Sequence, residues 1–168
     1  LVRLFETEAA RGRYPFAAPE YFDWQAQNTT PDGMSLMGWP QRSNASGAGE
    51  PQSVLVMPVE ADFFSVLGVR PLVGRAFAAG EDAAGRNRVA VLSYGFWQRQ
   101  YAGDTAILSR TIEINARTHV IVGVMPACWT MRAICGMFAP DSPSILIFCA
   151  LVPEGSTASR SPILRRQA

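Results

Sequence analysis

Two blocks of this chain alternate with a strict period of two, and three repeat at helical spacing. In TIEIN and THVIVGVM (111–115 and 118–125), Ile112 and Ile114 alternate with Thr111 and Glu113. Val120, Val122 and Val124 alternate with His119 and Ile121. This period predicts a hairpin whose isoleucines and valines share a buried face, with His119 opposite the valines and half exposed. SVLVMPV (53–59) predicts a third strand, and Pro58 predicts its end or an edge, because proline cannot donate to a ladder. VRLFE (2–6) reads as a shorter strand.

The helical blocks carry their own start and stop signals. In PEYFDWQAQN (19–28), Pro19 suits a first turn. Tyr21 with Trp24 and Phe22 with Ala26 give an apolar face, which predicts core packing for Trp24. Asp62 reads as the N-cap of a short helix with Phe63, Val66 and Leu67 on one stripe, and Gly68 stands where a left-handed cap is wanted. In VAVLSYGFWQRQYAG (89–103) a strand feeds a helix. Ser93 caps it, Leu92 and Trp97 fill the two positions of a hydrophobic staple, and Gly103 stops it.

Asp32-Gly33 signals a turn, and SNASGAGEP (43–51) reads as a flexible polar loop. Interleaved strands and helices predict an α/β (α+β) fold: a mixed β-sheet with short helices packed against it, a C-terminal hairpin and an irregular tail. After Pro126 no sustained period remains. The domain is therefore expected to span 1–127, with 128–168 as an irregular tail.

Composition narrows the function classes. The 168 residues are nearly half hydrophobic, as in a globular domain, and a net charge of +1 gives no basis for binding nucleic acid or an anionic membrane surface. All fifteen Lys/Arg positions are arginine, scattered along the chain, which reads as codon bias of a GC-rich genome rather than as anion clamps. The longest apolar run, ILIFCALV (145–152), is less than half of what a bilayer requires. The chain starts at Leu1 without a signal segment, as expected of a piece cut from a longer protein.

No catalytic, cofactor or metal residues are expected. A triad needs a base, and His119 is the only histidine. Ser93 lacks the flanking glycines of a nucleophile elbow, and its role as an N-cap explains it. Cys128, Cys135 and Cys149 fit no zinc or CxxC spacing. Glu81-Asp82 is the obvious carboxylate pair, but sequence neighbours diverge. GVRPLVGR has the wrong glycine spacing for phosphate. Asn28-Thr-Thr and Asn44-Ala-Ser match the short glycosylation pattern. Among Trp24, Trp39 and Trp97, Trp39 is the one expected to be exposed.

VEADFFSVLGVRPLVGRAFAAGED and VAVLSYGFWQRQYAGDTAILSRTIEINARTHVIVGVMP together resemble the extracytoplasmic core domain of MacB/FtsX-type ABC transporter permeases. LVRLFETEAARG and PEYFDWQAQN resemble the first strand and helix of the large acidobacterial-type members. The resemblance covers residues 1 to about 127 and rests on the ordered combination of motifs. It implies a non-catalytic domain on the periplasmic side of the inner membrane, between two transmembrane helices. Such a domain transmits conformational change or contacts substrates and periplasmic partners, with ATP hydrolysed by a separate cytoplasmic subunit or domain. It implies no cofactor. The alternatives are a free-standing secreted module that binds sugars or small molecules through tryptophan and tyrosine, and, more remotely, a hydrolase using Ser93 and His119.

The chain departs from the family pattern at two turns. The family's Leu-Asn-Gly is Ile114-Asn115-Ala116 here, and its Gly-Arg-Thr is Ser109-Arg110-Thr111. Where glycine serves a positive φ, each change costs on the order of 1 kcal/mol. Beyond about residue 127 the pattern is lost and all three cysteines appear, so a shifted or degraded reading frame is expected there.

Overall fold

The computed structural model describes residues 2–3, 6–8, 12–14, 18–27, 33–47, 50–127, 146–150 and 160–164. The elements run β1 (Val2–Arg3), β2 (Glu6–Glu8), β3 (Gly12–Tyr14), α1 (Ala18–Gln27), β4 (Met34–Gly38), β5 (Gln41–Ser46), β6 (Gln52–Val59) and α2 (Phe63–Leu67). They continue with β7 (Val73–Gly74), β8 (Val89–Leu92), α3 (Tyr94–Tyr101), a 3₁₀ turn (Thr105–Ile107), β9 (Thr111–Ile114), β10 (Arg117–Val124), β11 (Leu146–Ala150) and β12 (Arg160–Leu164). This is the mixed α+β architecture expected from the interleaving of strand and helix patterns.

Six strands pair in a closed ring. β6 pairs with β11 in parallel, β11 with β8 antiparallel, and β8 with β10 in parallel. β10 pairs with β9, β9 with β5, and β5 returns to β6, all antiparallel. Outside the ring, β4 also joins β6, followed by β12 and β1.

One core lies inside the ring and a second lies behind β6, β8 and β11. Val54, Ala90, Leu92, Ile112, Ile114, Ile121, Val124, Ile147 and Cys149 form one cluster, drawn from five strands and completed by Ala45 of β5. Phe96 and Trp97 of α3 and Ile107 of the 3₁₀ turn belong to it too. The alternate residues of β6, β8 and β11 point the other way. Met57, Val59, Val89, Val91 and Phe148 pack with Phe63 and Phe64 of α2 and with Phe77. Strands buried on both faces read as unbroken apolar runs, which is why VAVL and LIFCA carry no alternation.

β11 lies between β6 and β8, with Ile147 and Phe148 fully buried. This strand falls beyond the boundary expected near residue 127, within ILIFCALV. Residues 128–145 lie outside the described residues.

Several local expectations change. Pro58 is near the end of β6, as anticipated, but β6 is an inner strand and not an edge. Residues 43–46 are strand, not loop, because β5 pairs along β6 from Gln41 to Ala45. Asp62 precedes α2 without a side-chain capping bond; its carboxylate accepts from Ser35 Oγ at 2.6 Å instead. Ser93 does cap α3, accepting from the Phe96 amide, and Leu92 and Trp97 lie in one cluster as the staple requires. Trp24 is 46% exposed, and Leu72 is exposed as well. The VRLFE segment is β1 plus the first residue of β2, with Leu4 and Phe5 outside the described residues.

Gly74 has a clear steric reason. Its φ is +73°, and a Cβ there would collide with the Val122 carbonyl oxygen. Its register partner Gly123 would likewise strike the Arg75 carbonyl oxygen. Two glycines thus let β7 lie directly on the end of β10.

The two family departures fall on left-handed backbone. Asn115 and Ala116 have φ of 49° and 59°, which makes a type I′ turn, and Ser109 has φ of 67°. Ala116→Gly and Ser109→Gly are each expected to stabilise the protein by about 1 kcal/mol, read as a higher denaturant midpoint at unchanged slope. Phe64 is fully buried, with ring centroids 5.3 Å from Phe148 and 5.6 Å from Phe77. Phe64→Ala should cost about 3–5 kcal/mol in the same measurement.

Candidate functional site

Ser93 and His119 do not meet. Ser93 follows β8 at the end where Leu92 pairs with Val124, whereas His119 precedes the Val120–Val89 pair at the other end of the same parallel pair. Four residues of strand separate those ends, about 13 Å at the usual rise. His119 is also not on the exposed face, and this corrects the simple alternation. Antiparallel pairing places it directly opposite Ile112, so it shares the isoleucine face and is 8% exposed, while Val120 is turned outward. A register shift between Ile121 and Gly123 then returns Val124 to the interior, so the buried set follows the bulge and not a fixed period. His119 Nδ1 lies 2.8 Å from the Arg117 carbonyl oxygen, which fits an Nδ1–H donor. Burial is the main cause holding its pKa below the ordinary value.

Glu81 and Asp82 diverge. Glu81 takes both nitrogens of the Arg75 guanidinium, at 2.7 and 2.8 Å, and also accepts from the Ala78 amide. Asp82 turns the other way and accepts from the Ala61 amide at 3.1 Å. That places Asp82 in a cleft of about 530 Å³ with Glu60 and Asp62, between the β6–α2 junction and the segment around Phe77–Ala83. Sequence reading did not single out Glu60 or connect the three carboxylates, because their union depends on the fold. VEAD gives only the adjacency of Glu60 and Asp62.

Glu60 is the most enclosed of them, 6% exposed. Its Oε2 accepts from the Tyr21 hydroxyl and from the Leu36 amide, both at 2.7 Å, tying α1 and β4 to the end of β6. Burial raises its pKa against the lowering effect of those hydrogen bonds, and the charges of Asp62 and Asp82 raise it further. Asp62 is also raised, first by burial, with the Ser35 hydrogen bond opposing. Among the described residues no group of three His, Cys, Asp or Glu is placed to hold a metal ion.

A second cleft, about 660 Å³, lies between the last turn of α3 and Ser109–Thr111, with Arg99, Tyr101 and Arg110 in its wall. Arg110 pairs with Asp104 at 2.9 Å. The left-handed residues Ala102 and Ser109 line the same cleft, so its shape rests on strained backbone.

The remaining candidates are dispersed. Trp97 is buried and donates through Nε1 to the Asp104 carbonyl oxygen at 2.9 Å, whereas Trp39 is 41% exposed as expected. Cys149 is a free, buried thiol whose pKa is pushed up to about 12 by desolvation; Cys128 and Cys135 lie outside the described residues. Asn44 is exposed on β5, and Asn28 lies outside the described residues. Among the described residues no helix is long and apolar enough to cross a membrane.

Among the described residues, a β-sheet closed into a ring carries clefts lined by both polar and apolar groups, and Ser93 and His119 are not set against each other. The profile of the MacB-like periplasmic core domain matches residues 6–149, and the chain belongs to that family. Its fold is similar to the periplasmic region of MacB from Actinobacillus actinomycetemcomitans, with a TM-score of 0.67 at 13% identity over 94% of this chain and 71% of that one. It is also similar to the extracellular domain of the noncanonic ABC-type transporter YknZ from Gram-positive bacteria, with a TM-score of 0.68 at 9% identity over 99% and 82%. A domain of a putative permease protein from Porphyromonas gingivalis gives 0.56 at 14% identity over 92% and 68%. No curated protein matches significantly. The chain is therefore a periplasmic-type domain of a MacB/FtsX-like ABC transporter permease.

The buried titratable groups predict opposed pH effects. A carboxyl whose folded pKa is raised binds more protons folded than unfolded, so Glu60 contributes stability on acidification toward its ordinary value of 4.5, lost as pH rises through its raised one. His119, lowered from 6.5, acts oppositely: its contribution is present above 6.5 and lost as pH falls below it. Asp82→Asn keeps an oxygen for the Ala61 amide and removes a like charge. It should raise thermal stability at pH 8, with the gain shrinking on acidification. A constant offset, or a loss at pH 8, would refute the like-charge account.

Proposed function

We propose that this domain is a non-catalytic, rigid element on the extracytoplasmic side of the inner membrane, which passes conformational change between the membrane-embedded part of a permease and substrates or periplasmic partner proteins. The observation that carries this reading is the closed six-strand ring with apolar cores inside and behind it. A body packed at crystal-like density does not absorb a displacement applied at one end, and delivers it to the other. The transport served is of the efflux or lipoprotein type. The ATPase subunit or domain connects only through transmembrane helices of the parent permease.

Exposed Trp24 and Trp39 are the aromatic anchors available to a partner. The same exposure favours a second reading, a module that binds sugars or small amphiphiles by itself. Loss of co-purification with a periplasmic partner in Trp24→Ala/Trp39→Ala, with no glycan or amphiphile binding by the isolated chain, supports the first reading. Saturable binding by the isolated chain that the same variant abolishes supports the second. In either case the purified chain is expected not to hydrolyse ATP, and turnover that survives repurification would overturn a non-catalytic role.

In a permease carrying this domain, Phe64→Ala, assayed where the domain remains folded, should lower transport per ATP hydrolysed. Unchanged coupling would sink the lever reading.

A further inference from the structure

We infer that Glu60 and Tyr21 form a buried proton-binding site whose mutual hydrogen bond persists, with its direction reversed, when the carboxyl takes up the proton. The Tyr21 side chain is 1% exposed, and its hydroxyl has two acceptors in reach: Glu60 Oε2 at 2.7 Å and the Met34 carbonyl oxygen at 3.1 Å. One hydroxyl hydrogen serves one acceptor at a time. With Glu60 ionised, the hydroxyl donates to the carboxylate, which also accepts from the Leu36 amide. When Glu60 takes up a proton, the new O–H donates to the Tyr21 oxygen. The Tyr21 hydrogen turns to Met34 O, and the second lone pair of the Tyr21 oxygen still accepts from Gln25 Nε2 at 3.1 Å. The Glu60–Tyr21, Leu36–Glu60 and Gln25–Tyr21 hydrogen bonds persist in both states, so the proton enters without breaking any of these three contacts.

Access and electrostatics agree with this. Glu60 lines the 530 Å³ cleft, which gives the proton a route from solvent. Among the described residues, the groups around it come from four segments. α1 supplies Tyr21 and Gln25, β4 supplies Ser35 and the Leu36 amide, α2 and its approach supply Asp62 and Ser65, and the facing loop supplies Asp82. The charges acting on Glu60 are Asp62 and Asp82, both of its own sign, and with burial they favour the protonated form.

The test is a carboxyl-carbon NMR titration of the full chain, with amide spectra followed in parallel. A resonance absent in Glu60→Gln should titrate above the ordinary carboxylate range, and the Leu36 amide that donates to Glu60 should follow it, while the other amides of α1 and β4 hold their positions. Tyr21→Phe removes a hydrogen bond that favours the charged form, so it should move that midpoint further up. Glu60→Gln can set its side-chain oxygen where Glu60 Oε2 accepts from Tyr21 and Leu36, and should keep the wild-type α1 and β4 amide positions, Leu36 apart, at neutral pH. A midpoint at or below the ordinary range overturns the proposal. So does unseating of α1 during the wild-type titration or in Glu60→Gln. The wild-type titration decides the matter even where Tyr21→Phe does not fold.

Discussion

The closure of the ring between β5 and β9 is the constraint on which the rest of the architecture depends. Among the described residues Ala45–Ile114 and Ser46–Glu113 pair there, so this seam is short. Asn115 extends it: its Oδ1 accepts from the Asn44 amide, its own amide donates to the Asn44 carbonyl, and its Nδ2 donates to Ser43 Oγ. The positive φ that the hairpin turn demands is thus tolerated by a residue whose amide side chain also joins the turn to β5. With the seam closed, Ile112 and Ile114 cover one end of the inner core, and α3 covers it with Phe96 and Trp97. Opened, β5 and β9 would each become an edge strand with unpaired backbone groups.

The elements that sequence made legible are those whose reasons are local. Ser93 at its cap, Gly68 at φ 69° after α2, and the β9–β10 hairpin each follow from residues within one turn of themselves. Elements whose reasons lie across the molecule were not legible. β5 is polar and becomes a strand because β6 offers its ladder, and β4, separated from it by Trp39-Pro40, is a strand because β12 pairs along its length. LIFCA has no period since both its faces are buried. His119 illustrates the same limit within a strand that was identified correctly: the bulge at Val122 resets the phase, and only the register with Ile112 shows which way the imidazole points.

The candidate sites divide in the same way. Excluding a Ser93–His119 pair needed the parallel register of β8 and β10. The carboxylate cleft was half visible, because VEAD places Glu60 beside Asp62. Tyr21 and Asp82 arrive from α1 and from the loop after β7, and nothing in their local sequence points to Glu60. Trp24 shows the reverse error. Its spacing from Tyr21 is helical, but among the described side chains of α1 Tyr21 is buried and residues 23–27, Trp24 with them, are exposed.

The position of β11 bears on how the molecule assembles. Its parallel pairing sets Leu146 beside Leu55, and its other edge sets Ile147 beside Leu92. Parallel neighbours so far apart along the chain carry a large loop-closure entropy before any contact repays it, and such topologies fold slowly. During synthesis β6 and β8 emerge well before the strand that belongs between them, exposing two apolar ladders in the interval. A nascent chain of this kind has a strong physical reason to be shielded by a holding chaperone until Ala150 has cleared the ribosome.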